Sequence, residues 1–139
     1  MGRLLVTCLA LLLCSATWAD FDSGMSAYRL GDYQRAFKEF REAAIAGDPT
    51  AQFNVGVMYY RGEHVERDLV KAYGWIELAT NRPGTEALIQ AQEILAVMLT
   101  PEEVDAGMQL AMDLAERHGL DYRPDYQTHP ETRVANSLR

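Results

Sequence analysis

The stretch Ala36-Phe37-Lys38-Glu39-Phe40-Arg41-Glu42-Ala43-Ala44 is repeated 36 residues later as Ala72-Tyr73-Gly74-Trp75-Ile76-Glu77-Leu78-Ala79-Thr80. Asp32 aligns with Asp68, Arg35 with Lys71, Phe37 with Tyr73, Phe40 with Ile76 and Ala43 with Ala79. The copies keep acidic, small and large apolar residues in register. That is what stacked helical hairpins need, since one hairpin alone cannot bury its apolar face. The fold class expected is all-α, a right-handed solenoid of about three helical hairpins.

Working outward, breakers and caps divide the chain. Gly31-Asp32 ends one helix and caps the next, Gly47-Asp48-Pro49 does the same, and Asp68 repeats the role of Asp32. Thr100-Pro101-Glu102-Glu103 is a capping box, and His118-Gly119 closes the last helix. Apolar residues at three- and four-residue spacing then predict helices over 21–30, 33–46, 50–61, 69–81, 86–99 and 101–118. The third hairpin is a looser copy. Residues 91–99 shadow 51–59 at a spacing of 40, while Met108, Met112 and Ala115 continue the 36-residue spacing. Residues 120–139 have prolines at 124 and 130 and no period, so an extended or mobile tail is expected.

The first nineteen residues read as a secretory signal peptide. Arg3 supplies the positive end, Leu4 to Leu13 an apolar run too short for a bilayer core of about 30 Å, and Thr17 and Ala19 the small residues before a cut at Asp20. Lipid attachment at Cys14 fits less well, because Leu13 stands where a small residue is needed. Cleavage would leave 120 residues and remove both cysteines, Cys8 and Cys14. The exported product, expected in the periplasm or secreted, must then hold together by apolar packing alone.

The whole chain has a net charge of −7, and loss of Arg3 takes it to about −8. Phosphate backbones and anionic lipid would both repel it, so neither nucleic acid nor a membrane is expected as partner. His64 beside Glu63 and Glu66 lacks a second histidine at ligand spacing and reads as a solvated loop, so no metal is expected. Glu102, Glu103 and Asp105 fit the first turn of a helix better than acid–base work. Neither a glycine-rich phosphate loop nor a Gly-x-Ser-x-Gly elbow occurs, so neither catalysis nor a cofactor is expected.

The second hairpin resembles a Sel-1-like repeat, a relative of the tetratricopeptide repeat. The residues carrying the likeness are Ala51-Gln52, Gly56, Met58-Tyr59, Gly62, Val65, Asp68, Lys71-Ala72, Trp75 and Ala79. The first hairpin, Gly24 to Gly47, is more similar to a tetratricopeptide unit, the third matches only in part, and together the likeness spans residues 20–119. It implies superhelical stacking and a role as adaptor, scaffold or inhibitor in envelope assembly, secretion or effector immunity. Some secreted members are reported to bind or hydrolyse β-lactams, which makes a cell-wall or β-lactam hydrolase the alternative. This sequence lacks their cysteines in the mature chain and any Ser-x-x-Lys.

The partner-binding residues expected lie on the first helices of hairpins one and two. Phe21, Met25, Tyr28 and Arg29 fall on one helical face, and Phe53, Val57, Tyr60 and Arg61 repeat the pattern 32 residues on, with Asn54 beside them. Aromatic residues and arginine are the types that carry interface energy. The arginines could fork a carboxylate of a protein or peptide partner. The competing reading is that the stripe is core, because the opposite face, Ala51, Val55 and Tyr59, is apolar too. Three hairpins are near the minimum for an array, so self-association over an open end also enters.

Overall fold

The computed structural model describes residues 19–81 and 85–122. They form α1 (Ala19–Arg29), α2 (Tyr33–Ile45), α3 (Pro49–Arg61), α4 (Leu69–Thr80), α5 (Glu86–Val97) and α6 (Pro101–His118), with no strand among them. Residues 1–18 of the expected signal and 123–139 of the expected tail lie outside the described residues.

The predicted caps are present. Asp32 accepts from the Arg35 amide, Asp48 from those of Thr50 and Ala51, and Asp68 from that of Lys71. At α6 the Thr100 hydroxyl accepts from the Glu103 amide while Glu103 accepts from that of Thr100. Each such cap satisfies amide donors that the first turn cannot use, and is worth about 1 kcal/mol. Gly62 ends α3 at φ 71°, in the left-handed region that costs glycine little, and its amide donates to the Met58 carbonyl.

Successive helices pack in order, α1 on α2, α2 on α3 and α3 on α4. The third pair departs from a simple hairpin, because α5 and α6 both lie chiefly against α4 rather than against each other. The reason is a close backbone crossing. A Cβ placed on Gly74 of α4 would sit 2.8 Å from the Gly107 carbonyl of α6, and one on Gly107 would sit 2.7 Å from the Tyr73 ring. Two glycines let the helices approach to touching distance.

Helix α4 is therefore the centre of the molecule, with every residue from Ala72 to Ala79 buried. Trp75 and Leu78 join Phe40, Val55, Met58, Ala111 and Leu114 in the larger core, while Ala72 and Tyr73 join Leu95, Val104 and Met108 in the smaller. The buried carboxylate of Glu77 accepts from the Gln92 amide of α5 and, at 2.8 Å, from the Tyr122 hydroxyl. Burying a charge is tolerable only with such partners. They also fasten the chain past α6, where Leu120 packs beside Tyr122 on the larger core. The packed structure thus continues three residues beyond Gly119.

Candidate functional site

The nine residues singled out in the sequence separate into two groups. From α1, Phe21, Met25 and Tyr28 turn inward and pack on the larger core. The Phe21 ring lies 5.7 Å from that of Phe40, and Tyr28 lies 5.3 Å from Tyr33 and 6.3 Å from Phe40. Gly24 makes room for this, since a Cβ there would meet the Phe40 ring at 2.8 Å. Arg29 stays exposed. The α1 stripe is thus half-buried against the core.

From α3, Phe53, Val57, Tyr60 and Arg61 do line a cleft, whose opposite wall is Ala91, Ile94 and Leu95 of α5 and whose floor is Ile76 of α4. Gly56 fixes the floor: a Cβ there would meet Ile76 Cγ1 at 2.6 Å, so a side chain would drive α3 off α4. Asn54 is turned to its own helix, its amide donating to the Thr50 carbonyl at 2.9 Å. The α5 wall was missed in the sequence because Ala91, Ile94 and Leu95 read as ordinary core spacing. The 40-residue shadow of α3 in α5 was the available signal.

The mouth of the cleft is polar and already paired. Arg61 Nη1 donates to the Tyr28 hydroxyl oxygen at 2.7 Å and stands 3.7 Å from Glu63 Oε1, while the Tyr28 hydroxyl donates to Glu63 Oε2 at 2.8 Å. Burial, and then the hydrogen bond and charge of Glu63, push Tyr28 above its ordinary pKa, outweighing the opposite pull of Arg61. Arg61, expected to fork a partner's carboxylate, stands here beside one of its own chain. Arg67 was not foreseen. Its Nε donates to the Tyr60 carbonyl at 2.9 Å and its guanidinium lies 5.6 Å over the Tyr60 ring, holding that ring at the rim.

The cleft encloses about 230 Å³. Cofactor and small-ligand sites generally run from about 300 to 1,000 Å³, so this one suits one or two apolar side chains. A larger hollow of about 850 Å³ lies along α2, between Arg35, Lys38, Glu42 and His64. Its charges are mostly exposed and answer one another, Arg35 with half-buried Glu39 at 3.9 Å and Lys38 with Glu42 at 4.0 Å, which marks a solvated face. His64 sits in a left-handed turn with its ring 5.8 Å from Phe37. Among the described residues no three His, Cys, Asp or Glu side chains gather as metal ligands do. The Ser23 hydroxyl accepts from Arg35.

Residues 49–82, which are α3, α4 and the turn between them, match the family model of the Sel1 repeat. The chain thus carries a Sel1 repeat within an all-helical fold similar to the SLR fold. Its structure is similar to the crystal structure of c5321, a protective antigen present in uropathogenic Escherichia coli strains that displays an SLR fold. The TM-score is 0.67 and the identity 26%, over 81% of this chain and 27% of the antigen's. The Sel1-like chain thus spans little more than a quarter of that protein's length. No curated protein matches the sequence. Sel1-like repeats are in general protein-interaction modules, and no helix among the described residues is long and apolar enough to cross a membrane.

Proposed function

We propose that this chain is an exported adaptor that docks a protein partner by taking one or two of its apolar side chains into the cleft between α3 and α5. The observation carrying this reading is the cleft itself, with an apolar lining and a rim of Tyr60, Arg61 and Arg67. Burying a leucine- or phenylalanine-sized side chain there contributes about 1.5–3 kcal/mol, enough to anchor an interface whose polar rim mainly sets orientation. The signal-like first nineteen residues support a partner in the periplasm or outside the cell, in envelope assembly, secretion or immunity to an effector.

The test is affinity capture from the native envelope with the unaltered chain, Phe53→Ala and Tyr60→Ala, each variant first shown by circular dichroism to keep its helices. A specific co-purifying protein should bind each variant at least about tenfold more weakly, the equivalent of 1.4 kcal/mol. Retention at full strength by both variants, or reproducible turnover of nitrocefin or peptidoglycan by the purified chain, refutes the reading.

A further inference from the structure

The outer side of α5 carries three adjacent apolar residues that the fold leaves in solvent. Ile94 is 64% exposed, Val97 84% and Met98 46%. They stand at i, i+3 and i+4, so they form one stripe along a single side of the helix. A scattered exposed apolar residue is unremarkable, but a contiguous row marks a contact surface.

The charge around this row is not that of the rest of the molecule. Between residues 29 and 71 seven basic residues stand against seven acidic ones, which is neutral. Residues 85–122 carry eight carboxylates against the single base Arg117, a net of −7. The anionic charge of the chain is therefore concentrated on the segment that bears the stripe. Met98 leads, four and five residues on, to Glu102 and Glu103 in the exposed first turn of α6, with Asp105 exposed just beyond. These carboxylates follow the apolar row within a few residues along the chain.

We propose that this face binds a basic amphipathic helix of a partner protein, whose apolar side covers Ile94, Val97 and Met98 and whose lysines or arginines meet the carboxylates of α6. A second copy of this chain is the poorer occupant. A two-fold pair would place the same acidic patch against itself, and like charges brought together oppose the contact. The face shares Ile94 with the α3/α5 cleft, but Val97 and Met98 lie outside the cleft lining, so substitutions at those two positions test it separately.

The experiment uses the full chain and a dye-labelled 15-residue helical peptide with leucines along one side and lysines flanking them, read by fluorescence anisotropy. The same peptide with glutamate for lysine is the charge control. The lysine peptide should bind and the glutamate peptide should not. Val97→Ser with Met98→Ser should weaken binding at least tenfold. Glu102→Gln with Asp105→Asn should weaken it and flatten its dependence on salt, whereas Asp113→Asn with Glu116→Gln, about 12–20 Å further along α6, should change it little. Equal binding of both peptides, no binding of either, or indifference to the Val97 and Met98 substitutions overturns the proposal. So does a stable dimer that Val97→Ser converts to monomer, because the occupant would then be a second copy.

Discussion

Replacing Gly74 by alanine sets two effects of opposite sign against each other. Glycine inside a helix costs about 1 kcal/mol relative to alanine, so on propensity alone the substitution stabilises α4. The crossing of α4 and α6 says otherwise. The new Cβ would lie 2.8 Å from the Gly107 carbonyl oxygen, 3.0 Å from Leu110 Cδ2 and 3.2 Å from Leu110 Cβ. A comfortable carbon–oxygen approach is about 3.3–3.6 Å, so α6 must retreat by roughly half an ångström or more. The obstacle is backbone, which cannot swing away as a side-chain end can. Overpacking of this kind costs about 1–3 kcal/mol, and separating α6 also loosens Met108, Ala111 and Leu114 in both cores. Subtracting the propensity gain leaves a net loss of up to about 2 kcal/mol, a fall in Tm of up to roughly 16 °C for a domain of this size. Urea denaturation followed by circular dichroism measures it. Gly74→Ala with Gly107→Ala should lose less than the sum of the single losses, because one displacement of α6 relieves both clashes. A rise in stability for Gly74→Ala would refute the close crossing.

Asp68→Asn tests a cap and a pH dependence together. Burial works to raise the Asp68 pKa, but the Lys71 amide and ammonium, helped by the Val70 amide, outweigh it and leave the group below its ordinary value. A depressed carboxyl stabilises the fold fully above its unfolded pKa of about 4 and loses that contribution as pH falls through the folded value. Denaturation midpoints measured at descending pH should show an acid limb that is shallower in the variant, with a loss of about 1 kcal/mol or less at neutral pH. Tyr28→Phe removes the hydroxyl that joins Arg61 to Glu63, at a cost of about 0.5–1.5 kcal/mol. Because the Tyr28 pKa is raised, its contribution is complete below the unfolded value of about 10 and is lost as pH climbs through the folded one. The unaltered protein should lose stability there more steeply than the phenylalanine variant, and phenolate absorbance should show a late-titrating tyrosine that the substitution removes.

Local chemistry made the helices legible. A cap is settled by residues three positions apart, so Asp32, Asp48, Asp68 and Thr100 announced their helices and the ends agree to within two residues. The site was legible only on one wall. An aromatic row at helical spacing has the same pattern whether it faces a core or a partner, and what decides between them is the neighbouring helix. Gly24 admits Phe40 and closes α1 onto the core, whereas α3 is left open beside α5. The burial of α4 on all sides was equally hidden, since Glu77 and Gln92 read as surface residues until they are seen bonded to each other. Gly74 and Gly107, placed in helix interiors where glycine is unfavourable, were the clue to the α4–α6 crossing.

The encirclement of α4 separates the unit of sequence from the unit of folding. The segment recognisable as a Sel1 repeat stops at residue 82, before either α5 or α6 begins. Excised alone, it would expose to water the sides of Tyr73, Trp75 and Leu78 that later helices cover. In a simple solenoid each repeat touches only its neighbours, so stability is close to a sum over repeats. Here the axle lies between the motif and its C-terminal neighbours, so the chain should unfold in a single step, and trimming it back to its family signature would dismantle the very segment being preserved.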